Sequence, residues 1–259
     1  MNLIGNDRPT DESSELVQLI RAAGWELRDI TLCKTYEEYM CMAKSALNIT
    51  YLPTAKASGD ALEKRLGRKH LYLPLSYDFD EIERNLNTIA DALGIAAPDW
   101  TGAKQNAVRA IEQAKEVIGN TPVEIDYTAT PRPVGLALLL AEHGFRVSRV
   151  YTDAMIEEDR PAFERLRALA PDLLLTATVH TKMRFAGKGV HESGDVLAIG
   201  QKAAYFSGTK HFVNIVYGGG MYGFDGVARL ARRMIEAAAH EQDTEVVIQY
   251  KGLGCRSCL

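Results

Sequence analysis

The sequence predicts an α/β protein made of two tandem Rossmann-like domains, each an open, mostly parallel sheet flanked by helices. Short apolar stretches rich in β-branched residues alternate with helical stretches along most of the 259 residues, an order typical of βαβ units. A long helical stretch over residues 99–118 interrupts this alternation and has glycine and proline on both sides. We therefore predict a domain over residues 1–97, a connecting helix within 98–121 and a second domain over 122–259.

In the first domain, strands and helices alternate four times. Glycine follows several of the helices and favours the left-handed conformation that ends a helix, while Thr35 and Glu38 form the pattern of a capping box. The predicted elements are strand 3–5, helix 13–23, strand 26–32, helix 35–45, strand 47–52, helix 59–66, strand 70–73 and helix 79–93.

The second domain repeats the alternation. Pro161 stands near the first turn of one of its helices, where proline is tolerated. The predicted elements are strand 123–127, helix 133–143, strand 145–151, helix 161–170, strand 172–176, helix 196–205, strand 211–216, a helix from 223 to about 240 and a last strand over 244–250. Residues 251–259 show no pattern that defines an element.

Composition excludes several classes of protein. The formal net charge of −4 gives no basic footprint for nucleic acid, and no apolar run approaches the roughly 20 residues that a membrane helix needs. The first residues do not have the pattern of a signal peptide. We expect a cytoplasmic, reducing setting, in which the four cysteines do not form structural disulfides.

A glycine-rich connection joins a predicted strand to a predicted helix near the end of the second domain. It runs Tyr217-Gly218-Gly219-Gly220 and continues to Gly226. Glycine lets a backbone approach a ligand closely, and amides at a helix N-terminus favour an anion. The alternative is a tight turn whose glycines serve only positive φ. In open α/β sheets ligands bind beyond the carboxyl ends of the strands, which selects loops 128–132, 177–182, 205–210 and 217–222.

Five segments occur in the same order as in a known family. They are Asn2-Leu-Ile-Gly-Asn6 with Ala23-Gly-Trp25, Leu47-Asn48 with Leu62-Glu-Lys-Arg-Leu-Gly67, Pro131-Arg-Pro-Val134 with Gly144, Ala170-Pro-Asp-Leu173, and Gly223-Phe-Asp-Gly226 with Ala231-Arg232. Together they resemble the nitrogenase component 1 family, which includes the molybdenum–iron protein subunits, cofactor-assembly scaffold subunits and light-independent protochlorophyllide reductase subunits. Subunits of that family have three Rossmann-like domains, and this chain resembles the last two.

The resemblance implies an oxidoreductase component that binds a metallocofactor or a reducible substrate between its domains. It implies electrons from a separate ATP-driven iron–sulfur reductase, pairing with a component 1-like subunit, and an iron–sulfur cluster or related metallocofactor that another chain could share. Arg132 corresponds to the arginine of the family's "RP" loop, which lines the cofactor cavity; the alternative is a solvated loop arginine. The chain departs from the family at the cofactor cysteine, where it has Gly59, and at the molybdenum-ligating histidine, where it has Val213. The first domain, with its cluster cysteines, has no counterpart.

Other candidate residues carry weaker patterns. Cys255 and Cys258 have the spacing of a metal or redox pair, and with Cys33 and Cys41 they make the four thiols that an iron–sulfur cluster needs, although Cys41 also suits a buried apolar position. His180 and Lys182 follow a strand and are candidates for a basic site or for ordinary solvated loop charge. Tyr217 is a candidate for stacking on a ligand or for simple packing. His191 and Glu192 have the residue types of a proton relay.

Two functions remain open. One is a nitrogenase-like component 1 subunit, or a fragment of one, whose cavity wall contains Arg132, His180, Lys182 and Tyr217. The other is a non-catalytic module that carries or assembles a cofactor and pairs with a full-length subunit. Gly218-Gly219-Gly220 lacks the spacing of a dinucleotide-binding loop, which disfavours an ordinary nicotinamide dehydrogenase.

Overall fold

The computed structural model describes residues 1–190 and 195–243. The chain folds into two compact units. Unit 1 contains Met1–Ala107 and Gly219–Val227, and unit 2 contains Val108–Gly218 and the chain from Ala228 onward. No helix in the described part is long and apolar enough to cross a membrane. The domain limits that the sequence suggests remain a prediction.

Unit 1 is a four-stranded parallel sheet with helices against it, in the strand order β2-β1-β3-β4. The order reverses between β1 and β3, which are the first and third strands along the chain. The strands are β1 (Asn2–Leu3), β2 (Arg28–Asp29), β3 (Leu47–Thr50) and β4 (Lys69–Tyr72), and the helices are α1 (Glu15–Ala22), α2 (Tyr36–Cys41), α3 (Pro53–Leu66), α4 (Phe79–Leu93) and the start of α5 (Thr101–Ile118).

Unit 2 is a five-stranded parallel sheet in the order β7-β6-β5-β8-β9. All four residues of its central strand β5 are buried. The order reverses between β5 and β8, so the ligand-binding position of an open α/β sheet lies at the carboxyl ends of these two strands. The strands are β5 (Val123–Asp126), β6 (Val147–Tyr151), β7 (Leu174–Thr176), β8 (Leu197–Ile199) and β9 (Phe212–Val213), and the helices are α6 (Pro133–Glu142), α7 (Arg160–Leu169), α8 (Gln201–Ser207) and α9 (Gly223–Ala239), whose first residues belong to unit 1.

The predicted α/β class with two parallel sheets is confirmed, whereas several predicted elements have another type or other bounds in the structure. Residues 196–205 are not one helix but strand β8 followed by α8, because Gly200 at φ +109° breaks the segment. The predicted strand 26–32 is only β2 followed by a 3₁₀ turn over Ile30–Leu32. Helix α3 begins at Pro53 rather than at Gly59, since proline is well suited to the first helical turn. The predicted strand 244–250 lies outside the described residues.

The Gly223-Phe224-Asp225-Gly226 motif is a packing motif of unit 1. A Cβ on Gly223 would lie 2.2 Å from Glu15 Oε2, so only glycine fits. Phe224 is buried and packs edge-on against the Phe79 ring, with centroids 5.5 Å apart. The Asp225 amide donates to Glu15 Oε1 at 2.9 Å. The motif therefore holds the start of α9 against α1 and α4 within unit 1.

Candidate functional site at the carboxyl edge of unit 2

The end of β5 carries a carboxylate that turns towards the start of α8. Asp126 is completely buried and accepts hydrogen bonds from the Thr128 amide at 2.7 Å and the Ala203 amide at 2.8 Å. Burial raises the pKa of this carboxyl, and these hydrogen bonds act in the opposite direction. A Cβ on Gly200 would lie 2.3 Å from Asp126 Oδ2. Asp126 thus occupies the space before α8 in which a Rossmann-like fold would hold a ligand's anionic group.

Beside Asp126, a lysine of α8 lies over a tyrosine that follows β5. Lys202 Nζ is 4.3 Å from the centre of the Tyr127 ring and also hydrogen-bonds the Tyr127 hydroxyl oxygen. Its other hydrogen bond goes to Thr178 Oγ1 at 3.4 Å, in the loop after β7. Both oxygens are neutral. Within the described residues Lys202 has no carboxylate at ion-pair distance, although its side chain is half-buried.

An aspartate after β6 completes the group. Asp153 accepts hydrogen bonds from the Thr178 amide at 2.5 Å, from Thr178 Oγ1 at 2.6 Å and from the Val179 amide at 3.0 Å. Burial alone would raise its pKa, but these hydrogen bonds and one from Tyr127 lower it overall. We call Tyr127, Asp153, Thr178 and Lys202 the edge cluster. Its members follow four neighbouring strands of unit 2 and meet at the edge of the sheet where strand order reverses.

The loop after β9 is tied to the same edge. The Tyr217 amide donates to Thr128 O at 2.8 Å, and the Gly218 amide donates to Ala129 O at 2.7 Å. Tyr217 has φ +47° and is the only non-glycine residue with positive φ in the described part of the chain. Strain of this kind concentrates at functional sites. These two amides are satisfied by the chain itself, so they do not face a ligand.

Gly219 and Gly220 belong to unit 1 rather than to this edge. Gly220 has φ +83°, and a Cβ there would lie 2.3 Å from Pro9 O. Its carbonyl accepts a hydrogen bond from the Asp11 amide at 2.8 Å. Close packing on residues 9–11 therefore explains Gly220 without a ligand.

Arg132 is held in a buried ion pair rather than in solvent. Its side chain is 4% exposed, and Nε donates to Asp159 Oδ1 at 2.7 Å. Nη2 also donates to Glu158 O at 2.8 Å. Burial raises the pKa of the Asp159 carboxyl, and the neighbouring Arg132 guanidinium opposes that rise. The guanidinium fastens the loop after β5 to the segment before α7.

His180 and Lys182 lie in an exposed turn and take no part in the edge cluster. Lys182 belongs to the 3₁₀ turn Thr181–Phe185 that follows β7, and His180 caps the start of this turn, where its Nδ1 accepts a hydrogen bond from the Lys182 amide at 3.3 Å. His191, Glu192, Cys255 and Cys258 lie outside the described residues. Their predicted roles remain predictions.

The described residues do not provide the cofactor ligands known from the family. A Cβ on Gly59, the position of the family's cofactor cysteine, would lie 2.1 Å from His70 Nε2. That imidazole is held by Thr50 Oγ1 at 2.8 Å and Asp60 Oδ1 at 2.9 Å. Val213 is buried in β9, and no group of three or more histidine, cysteine or acidic residues in the described part could hold a metal. Cys33 and Cys41 are free, half-buried thiols.

The comparisons with known proteins agree with this architecture. The model of the nitrogenase component 1 type oxidoreductase family matches residues 1–239. The chain belongs to this family. The solved structure of nitrogenase Cp1 at pH 6.5 superposes with a TM-score of 0.63 over 92% of this chain and 59% of the nitrogenase chain, at 13% identity. This likeness shows the fold alone, and this chain spans less than two thirds of that protein's length.

A weaker structural likeness is to an ABC transporter substrate-binding protein from Listeria monocytogenes EGD-e. It covers 91% of this chain and 97% of the other, with a TM-score of 0.41 and 7% identity. No curated protein matches the sequence.

Sequence reasoning found some of the loops of this edge but missed its central residues. Tyr127, Asp153 and Lys202 lie one to three residues after the ends of β5, β6 and β8, but the sequence pattern predicts a helix where β8 lies. The signal that would have found it is the apolar, partly β-branched run Val196–Ile199 that stops at Gly200. Recognising that run as a strand places Lys202 at a carboxyl end of the sheet.

Proposed function

We propose that the protein is a nitrogenase component 1-type oxidoreductase subunit, or part of one, that binds a reducible anionic substrate or cofactor group at the edge cluster. Electrons would come from a separate iron–sulfur reductase. The observation that carries the proposal is Lys202, a half-buried ammonium group without a carboxylate partner in the described chain, at the edge where the strand order of unit 2 reverses.

Each member of the edge cluster has a chemical part in this proposal. A lysine ammonium group has three N–H donors, and two of them are directed at Tyr127 and Thr178. The third is available for an anionic oxygen. Tyr127 donates its own hydroxyl hydrogen to Asp153, so its oxygen accepts from Lys202 and its ring holds the ammonium group in place. Such prearranged donors stabilise charge that develops on a bound group.

A metallocofactor, if bound, would need ligands other than those at the family's known positions. Gly59 and Val213 stand at those positions and have no side chain that can coordinate a metal, and the Arg132 guanidinium is paired with Asp159. We propose Cys255 and Cys258, together with residues of a partner chain, as the ligands. His180, Lys182 and the Tyr217 side chain, which lie outside the edge cluster, remain proposed lining residues with a supporting role.

The alternative function is a cofactor-carrying or assembly module without catalysis. The His70 imidazole, which fills the space beside Gly59, favours this alternative. A chain that keeps the fold but lacks the cofactor ligands is better suited to carry or assemble a cofactor than to reduce a substrate. Pairing with a full-length component 1-like subunit would supply the cofactor ligands that the described residues of this chain lack.

Anaerobic purification with iron and sulfide analysis and electron paramagnetic resonance separates these possibilities. The proposal expects iron in the native protein, its loss in Cys255→Ala/Cys258→Ala, and reductase-dependent bleaching of the cluster. Iron that persists but is never reduced by an iron–sulfur reductase supports the carrier. An iron-free protein that also resists reconstitution rules out a cluster bound by this chain alone.

A further inference from the structure

The exposed apolar side chains of unit 2 concentrate at one edge of its sheet. Apart from Val117, every exposed large apolar residue in the described part of unit 2 lies between Met155 and Val190. Five of them are on β7 or in the loop that follows it, and we call these five the β7-edge surface: Leu174, Leu175, Val179, Phe185 and Val190, which are 52%, 45%, 72%, 90% and 49% exposed.

One edge of this sheet is covered by the chain, and the other edge is exposed. At the β9 edge, the Gln242 amide donates to Lys210 O at 2.9 Å and Gln242 Nε2 donates to Phe212 O at 2.6 Å, so the chain after α9 covers it. At the other edge, Leu174 and Leu175 are both exposed, and successive strand residues point to opposite faces. Proteins usually guard an edge strand with charge or proline. β7 is Leu-Leu-Thr and has neither.

The charge of the same segment indicates what covers it. Residues 173–190 contain Lys182, Arg184 and Lys188 but no aspartate or glutamate, whereas the whole chain has a net charge of −4. A two-fold dimer through this surface would bring the cationic segment of one copy close to that of the other, and like charges across an interface are costly. An apolar centre with a cationic border matches a different surface, one with apolar side chains among carboxylates.

We propose that the β7-edge surface binds a partner protein through an acidic, apolar segment of that partner. The segment would lie beside β7, with its apolar side chains on Phe185 and Val179 and its carboxylates towards Lys182. This mode adds a strand to an open sheet edge. The inference concerns assembly, and it does not depend on which cofactor or substrate the edge cluster takes.

The test uses the full chain and two short fluorescent peptides, one alternating leucine with glutamate and the other alternating leucine with lysine. Fluorescence anisotropy should show binding of the glutamate peptide only. Val179→Ser/Phe185→Ser should weaken that binding at least about tenfold, since central apolar contacts dominate interfaces. Both positions are exposed, so the fold should persist, which circular dichroism checks. Val117→Ser, an exposed apolar residue elsewhere in unit 2, should leave the affinity unchanged.

A second pair of measurements tests the charge and the alternative occupants. Lys182→Glu should weaken glutamate-peptide binding, and the affinity of the native protein should fall from about 0.01 M to about 1 M salt as charges are screened. Equal affinity for both peptides, or an affinity that Val179→Ser/Phe185→Ser leaves unchanged, overturns the proposal. Two further results would also overturn the proposal. Light scattering that shows a dimer in the native protein but not in Val179→Ser/Phe185→Ser would identify a second copy as the occupant. Binding only to phosphatidylserine vesicles would identify a lipid surface.

Discussion

Glu15 gives the stability of unit 1 an unusual dependence on pH. Its carboxylate lies against Gly223 and accepts a hydrogen bond from the Asp225 amide, and its Oε2 has no hydrogen-bond partner among the described residues. Burial raises its pKa from 4.5 to about 7. A carboxyl with a raised pKa in the folded state binds its proton more tightly there than in the unfolded chain. Its contribution to stability is therefore complete below pH 4.5 and is lost as pH rises to about 7.

The size of this effect follows from the pKa values. The difference between 4.5 and about 7, at about 1.4 kcal/mol per unit, corresponds to about 3 kcal/mol of unfolding free energy. Glu15→Gln keeps an oxygen for the Asp225 amide and removes the titration. At pH 8 the variant should therefore be more stable than the native protein by up to about 3 kcal/mol, whereas near pH 4 the two should be alike.

Urea unfolding followed by tryptophan fluorescence measures this in unit 1. Both tryptophans, Trp25 and Trp100, belong to that unit, so raised carboxyl pKa values in unit 2 do not confuse the signal. Glu12→Gln is the control, because Glu12 is on the surface with 83% of its side chain exposed. If Glu15→Gln and the native protein keep the same difference in stability at pH 4 and pH 8, the reasoning about Glu15 is refuted.

Three further predictions concern packing and charge. Gly59→Ala should lower the free energy of unfolding by about 1–3 kcal/mol, because the added Cβ meets the His70 imidazole. Gly102→Ala, in an open helical position, should raise it by up to about 1 kcal/mol. Urea unfolding of the two variants compares these effects. Arg132→Met should cost about 3–5 kcal/mol by leaving Asp159 buried without its partner, and Arg132→Met/Asp159→Leu should recover much of this loss in thermal unfolding. Tyr217→Gly should be about 1 kcal/mol more stable than Tyr217→Ala in urea, since alanine retains the strain of φ +47°; equal stabilities would contradict this.

Local signals predicted much of the fold correctly. The capping box of Thr35 and Glu38 is present at the start of α2, and Gly94 in the left-handed conformation ends α4 at its predicted last residue. Strong periodicity and terminal residues act locally, so the sequence displays them. Strand β8 was missed because a short apolar run satisfies a helix and a buried strand equally well. Only its pairing with β5, a contact between distant residues, distinguishes the two.

The candidate site was less predictable than the fold. Rules for open sheets selected the loop that contains Thr178, but a loop does not show which side chains turn inward. Lys182 carries the same charge as Lys202, and the sequence favours Lys182 because it follows a stretch that the pattern predicts as a strand. Arg132 was predicted to line a cavity, whereas its guanidinium is bonded to Asp159, which lies 27 residues further along the chain. Charge partners of this kind depend on tertiary structure.

The most direct test of the account is anion binding at Lys202. Titration calorimetry with sulfate and with succinate should show binding to the native protein that Lys202→Met weakens at least about tenfold, since a half-buried ammonium group supplies much of the attraction. Lys210→Met, which removes an exposed lysine paired with Glu241, should bind as the native protein does. Equal affinities for Lys202→Met and the native protein would contradict the proposal that the edge cluster binds an anionic group.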